Sequence, residues 1–343
     1  MMFGGSSSHK FDPLSDIIDL KGKVIIVTGG NKGIGYATVQ HLARGGAKVY
    51  LAARNEERAR KAIETLRQGG FTPGNGEVLW LKLDLGDPSH AKKAADEFLT
   101  RETRLDVLRS EKYELALVNN AGLVMTPYEM TSHGVTTLVT VNPFVFTRTL
   151  LPLLMETAKE LESDVRIVNV AGLRANNLFG QLTSIAHKFV SSSISFKDKA
   201  DFNMKYQMHF LPAFQRYALS KFIVLLWSIT LQKRILAASL ATPITVIAIH
   251  PGGVDTFTQD WPFPTFSKWL VGLAIADPVH GAYNSVFAAA SKMVAGNKER
   301  YRGMYLESSP TGRIAQVSKS LQNEQLGTQL WGITEKLLED LGL

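Results

Sequence analysis

Lys23-Val24-Ile25-Ile26-Val27-Thr28-Gly29-Gly30-Asn31-Lys32-Gly33-Ile34-Gly35 is the stretch that decides the fold. Val24 to Val27 form an unbroken, β-branched apolar run of strand length, as expected of a strand buried on both faces. A glycine-rich turn follows. Apolar residues then recur at helical spacing, at Ile34, Ala37, Val39, Leu42 and Ala43. Strand, glycine turn and helix together aim backbone N–H groups and the positive end of a helix at an anion such as a phosphate. Glycines suit the turn because they accept positive φ and let a phosphate approach the backbone. A lone glycine triplet can be only a tight turn, but here the flanking strand and helix supply the required context.

Outward from this unit the chain alternates. Strands are expected at 48–53, 78–83, 115–118, 166–170 and 244–249, and helices at 56–67, 88–100, 136–161 and 212–237. That alternation predicts an α/β fold with a doubly wound, parallel sheet. Further helices are expected near 278–294 and 322–341, with no internal repeat. Residues 1–19 read as a disordered or extended tail, and residues 20–343 as one domain. An insertion is placed at about 174–211 and a variable loop at about 257–276.

Bulk composition narrows the function classes. With 343 residues and 45% hydrophobic composition the chain has ample material for a core. Its 38 basic residues against 31 acidic ones give a net charge of +7, spread without a dense Lys/Arg tract. Nucleic acid is therefore not an expected partner, whereas an anionic cofactor suits the balance. Cysteine is absent, which excludes disulfides, thiol catalysis and cysteine-based metal sites and is compatible with a reducing, cytoplasmic setting. No metal site is expected. The apolar part of the helix at 222–230 is bounded by Lys221 and Lys233-Arg234 and is too short to span a bilayer, so no integral membrane segment is expected.

The order of motifs resembles the short-chain dehydrogenase/reductase family, over roughly residues 20 to 290, with a C-terminal region similar to its retinol-dehydrogenase-like members. The carrying stretches are T-G-x-x-x-G-x-G at 28–35, Asn119-Asn120-Ala121-Gly122, Tyr217-Ala218-Leu219-Ser220-Lys221 and Pro251-Gly252-Gly253-Val254-Asp255-Thr256. The resemblance implies a Rossmann-type domain that binds a nicotinamide dinucleotide. It implies cofactor contacts at Thr28, Gly29, Asn31, Lys32, Gly33, Ile34 and Gly35. It adds Asp84 and Leu85 after the third strand, Asn120, Ala121 and Gly122 after the fourth, Tyr217 and Lys221 on the helix before the sixth, and Pro251, Gly252, Val254 and Thr256 after the sixth. The second strand ends in Ala52-Ala53-Arg54 with no carboxylate to bind ribose hydroxyls. Arg54, assisted by Lys32, is placed to take a 2′-phosphate on its planar fork, which favours NADP.

Residues i and i+4 share a helix face, so Lys221 can lie near Tyr217 and the cofactor ribose. A nearby cation is expected to lower the Tyr217 pKa from about 10 toward working pH and fit it for general acid/base work. The family's serine after the fifth strand is missing: Val170-Ala171-Gly172 puts Gly172 in its place. Losing one such donor costs roughly 10² to 10³ in rate in comparable enzymes. The family's catalytic asparagine maps to Asn142, in a stretch about three residues short, nearly one helical turn, with Pro143 unable to donate.

Gly172 and Tyr217 are 45 positions apart, several times the family's usual interval. The intervening segment holds Phe179, Phe189, Phe196, Phe202 and Phe210, together with His187 and His209. It reads either as an insertion packing its own aromatics or as a lid over an apolar pocket. Trp261 to Trp269 lies where the family keeps its substrate loop, and favours a bulky apolar substrate. A dimer or membrane-surface contact could claim the same aromatics.

The expected activity is an NADP-dependent oxidoreductase with Tyr217, Lys221 and Asn142 as its catalytic group. Its substrate is a carbonyl, hydroxyl or conjugated C=C of an apolar small molecule. The alternative is a protein of the same fold with lost or altered redox activity, a non-redox rearrangement or a cofactor-binding partner, because the serine is absent. A homodimer through the helices bearing Asn142 and Tyr217 is an analogy with the family.

Overall fold

The structure is a computed structural model that describes residues 10–102, 115–120, 128–130, 134–136, 141–160, 163–172, 194–206, 212–238, 244–252 and 278–343. Eight strands form one sheet in the order β3-β2-β1-β4-β5-β6-β7-β8. They are β1 Val24–Thr28, β2 Lys48–Ala53, β3 Glu77–Lys82, β4 Leu115–Asn119, β5 Val165–Val170, β6 Ile244–Ile249, β7 Tyr305–Ser308 and β8 Thr311–Ile314. The first seven are parallel and β8 pairs antiparallel with β7. This is the α/β, doubly wound arrangement expected from the alternation. The order reverses between β1 and β4, and ligands of such sheets bind outside the strand carboxyl ends at that reversal.

The period-2 alternation of β1 explains the two cores. Ile26 enters one apolar cluster with Leu117, Ile167 and Val246. Ile25 and Val27 point to the other, with Val118, Val168 and Ile247. The first cluster lies under helices α3 Pro88–Glu102, α4 Val141–Thr157, α5 Pro212–Ala238 and a C-terminal helix, Glu324–Asp340. The second lies under α1 Gly33–Arg44, α2 Glu56–Gln68 and the helix Tyr283–Ala290.

The helix expected over 278–294 is broken into α6 Pro278–Gly281, α7 Tyr283–Ala290 and α8 Lys292–Gly296. The break at Ser291 has a cause: its backbone is extended and bridges antiparallel to Ile17. Phe11, Ile17 and Leu20 are buried, so the chain from Lys10 onward is docked on the second core. A short helix α9, Lys298–Tyr301, leads to β7, and the C-terminal helix is α10, Glu324–Asp340. Thr136 forms an isolated antiparallel bridge with Met130, and of the helix expected at 136–161, Val141–Thr157 is described as helical. Pro143 falls in its first turn, where no backbone N–H is required.

Of the long insertion, residues 194–206 are described. Phe196 and Phe202 are buried in the first core with ring centroids 6.0 Å apart. Asn203 donates to the Gly134 carbonyl at 2.8 Å and accepts from the Thr136 amide at 3.0 Å. This part is a brace packed into the body of the domain. Phe179, His187, Phe189, His209, Phe210 and the aromatic segment 261–269 lie outside the described residues.

α10 crosses α5 and reaches α4. Trp331 stacks edge-on against Phe144 at 4.9 Å, Arg234 lies 4.4 Å over the Trp331 ring, and Arg148 pairs with Glu335 at 2.9 Å. Through Trp331 and Glu335 the chain's own last helix packs on part of the α4 and α5 surface named for a family-type homodimer, while Arg148, Pro152 and Glu156 of α4 remain exposed. Among the described residues no helix is long and apolar enough to cross a membrane.

Candidate active site

The strand carboxyl ends assemble the site. Beyond β1, Gly29 donates to the Ala52 carbonyl at 2.8 Å, which ties the glycine turn to β2. Asn31 and Lys32 complete the turn, and Gly33, Ile34 and Gly35 open α1. Lys32 is the N-cap with no side-chain cap hydrogen bond, and the first turn carries no acid, so the helix terminus suits an anion. A Cβ on Gly35 would lie 2.3 Å from the Gly29 carbonyl and 2.5 Å from Asn120 Nδ2. Only glycine allows this close packing of turn, helix and β4. The cradle therefore fits a dinucleotide phosphate.

Asn120 locks β4 to β1: its amide donates to Thr28 Oγ1 and its Nδ2 to the Thr28 carbonyl, both at 3.0 Å. Arg54 stands exposed just past β2. Asp84 and Leu85 follow β3, where Asp84 Oδ1 accepts from the Gly86 amide at 2.9 Å. Ala121, Gly122, Val254 and Thr256 lie outside the described residues, whereas Pro251 and Gly252 follow β6 directly.

Below the strand ends runs a buried polar chain that the sequence reading did not single out. Asn119 Nδ2 donates to Thr147 Oγ1 at 3.1 Å and to Asn169 Oδ1 at 2.8 Å, and Asn169 Nδ2 donates to Ser228 Oγ at 2.9 Å. It joins β4, β5, α4 and α5 in a fixed register. Asn142 sits in the first turn of α4.

Tyr217 and Lys221 share one face of α5, as their spacing requires. Lys221 Nζ donates to the Val170 carbonyl at 3.0 Å and lies 5.7 Å from the Tyr217 ring centroid. Burial pushes Lys221 down to about 8. The expectation of a lowered Tyr217 pKa is corrected: burial pushes it up to about 12. Desolvation of the phenolate is the cause.

Gly172 follows β5 with φ +60°, and a Cβ built there would lie 3.4 Å from Tyr217 Oη and 3.9 Å from Pro251 Cδ. Gly172, Tyr217 and Pro251 thus converge from β5, α5 and β6. His250 sits under the same group. Burial, and then the Lys221 charge, hold it down to about 4. Its place directly before Pro251-Gly252 was the only signal in the sequence.

Known proteins place this arrangement. The family profile described as short chain dehydrogenase matches residues 23–184. A short-chain dehydrogenase/reductase of Armillaria gallica is 36% identical, covering 98% of each chain. Human retinol dehydrogenase 11 is 30% identical over 94% of this chain and 87% of its own. An uncharacterized protein from Mycobacterium paratuberculosis has the same fold, with TM-score 0.63 and 22% identity over 96% of this chain and 98% of its own. The glycine turn on β1, the tyrosine and lysine on α5 and relatedness along almost the whole length give one conclusion: the chain belongs to the short-chain dehydrogenase/reductase family of oxidoreductases.

Proposed function

We propose that the protein is an NADP-dependent oxidoreductase acting on a carbonyl, a hydroxyl or a conjugated C=C of an apolar small molecule, with Tyr217 as general acid/base. The carrying observation is the convergence of the Tyr217 hydroxyl, Gly172 and Pro251 at the strand ends beside the glycine cradle. When bound, the nicotinamide supplies or accepts the hydride. Tyr217 gives its proton to the substrate oxygen in reduction and takes it back in oxidation. A phenol held near 12 is a fully protonated donor at neutral pH, and Lys221 lies 5.7 Å from its ring centroid. Lys221 with the 28–35 turn, Asn120, Pro251 and Gly252 would hold the nucleotide.

Among similar folds, a reductase designated A1-R′ is described as NADH-dependent, and an L-sorbose reductase from Gluconobacter frateurii was solved with NADPH. Both nucleotides therefore occur on this fold, and the choice here rests on Arg54. Arg54→Glu is expected to reverse the preference between NADPH and NADH in a fluorescence titration. Tyr217→Phe is expected to cut turnover on apolar ketones and enones by roughly 10² or more while the protein still binds NADPH. Full activity in that variant would sink the assignment.

Gly172 supports a second reading, a pocket turned to non-redox chemistry, because it offers no side-chain donor beside Tyr217. A C=C substrate escapes the difficulty, since hydride adds at carbon remote from the oxygen. The absence of cysteine fits a cytoplasmic location.

A further inference from the structure

Asn284 on α7 is 1% exposed, and its side chain meets three separate segments. Nδ2 donates to the His250 carbonyl at 2.7 Å and to the Leu306 carbonyl at 3.1 Å, while Oδ1 accepts from the Gly312 amide at 3.0 Å. One amide thus ties the carboxyl end of β6 to both strands of the β7–β8 hairpin. Both Nδ2 protons are used and Oδ1 is engaged, so hairpin and strand end cannot shift independently without leaving buried polar groups unpaired.

His250 continues the connection. Its Nδ1 accepts from the Gly252 amide at 2.8 Å, which closes the turn around Pro251 and leaves the ring proton on Nε2. Gly252 in turn faces the hairpin, since a Cβ there would lie 3.1 Å from Ser308 Oγ. Pro251 borders Gly172, and Gly172 borders the Tyr217 hydroxyl. Hairpin, strand end, turn and reacting group therefore form one contiguous set of contacts.

We infer that Asn284 and His250 are positioning residues of the active site, and that through them the C-terminal β7–β8 hairpin fixes the Pro251-Gly252 turn on which the nicotinamide side of the cofactor rests. Neither side chain needs to touch the cofactor. Asn284 sets where the turn stands and His250 sets its shape. This rests on the nucleotide-binding reading above.

The test compares His250→Leu, which removes the acceptor, with His250→Asn, which keeps an acceptor near the Nδ1 position. Asn284→Asp, which keeps the acceptor for Gly312 but cannot donate to both carbonyls, completes the set. NADPH dissociation constants are measured by fluorescence titration and melting temperatures by circular dichroism. His250→Leu and Asn284→Asp should weaken NADPH binding tenfold or more, and His250→Asn by less than about threefold. A purely structural role would instead lower the melting temperature of all three and leave affinity alone, which overturns the inference.

Hydrogen exchange of the unmodified protein gives a second measurement should a variant fail to fold. NADPH should slow exchange across residues 305–314, and unchanged exchange there overturns the inference. If the unmodified protein binds no NADPH, the proposed function fails first. Binding that is indifferent to His250 and Asn284 defeats only the present inference.

Discussion

Gly172 adopts a left-handed backbone, and its missing side chain would point at the Tyr217 hydroxyl. Restoring a serine there has two opposed consequences. It brings an Oγ beside the reacting oxygen, and it places an L-residue in a conformation that costs about 1–2 kcal/mol. Gly172→Ser should therefore lower the melting temperature by a few degrees. In an impaired ketoreductase it should also raise turnover, while a pocket turned to other chemistry would gain nothing. Calorimetry and a ketone assay on the same preparation separate the two effects. Tyr217 and Lys221 were legible in the sequence because a spacing of four fixes their common helix face. The direction of the Tyr217 shift was not, because it depends on how deeply the fold buries the phenol.

At the level of elements, the Asn119–Asn169–Ser228 chain holds two strands and a helix together by side-chain hydrogen bonds within a buried region. Asn169→Ala removes one hydrogen bond from each of two buried partners, Asn119 and Ser228, and should cost about 1–3 kcal/mol of stability, measured by urea unfolding. Gly327 lets α10 approach α5 closely: a Cβ there would lie 2.3 Å from Thr230 Oγ1. Gly327→Val should force the pair apart at a cost of about 1–3 kcal/mol, and a variant as stable as the original would contradict the packing. Strands β1 to β6 were legible because each is a compact apolar run bounded by turn residues. Strands β7 and β8 were not. Each is four residues long, half polar, and separated from its neighbour only by Ser309-Pro310, too short for a periodicity to show.

The whole molecule should be sensitive to acid. His41 and His250 are both held near 4, in each case first by burial. Their unfolded values lie near 6.5, so below that pH the unfolded chain binds more protons and stability falls. The loss should run from about pH 6.5 to 4 and reach on the order of 3 kcal/mol per histidine. His41→Leu should flatten the fall in melting temperature over that window. Lys221, held near 8 against an ordinary value near 10.5, works at the other end. Between those values the unfolded chain again binds more protons, so its contribution makes stability rise with pH. The fold class was legible from alternation and the glycine turn, whereas these depressed pKa values arise from contacts between segments far apart in sequence. His41 on α1, for example, packs edge-on to Tyr283 on α7 with ring centroids 5.5 Å apart.

Helix α10 has a thermodynamic corollary. A surface shielded by a second molecule is shielded only above some concentration, and melting then shifts on dilution. Here the shield over Phe144 and the neighbouring part of α5 is tethered to the same backbone, so its local abundance never changes. The contribution of this contact to the unfolding midpoint should hold steady across a hundredfold dilution.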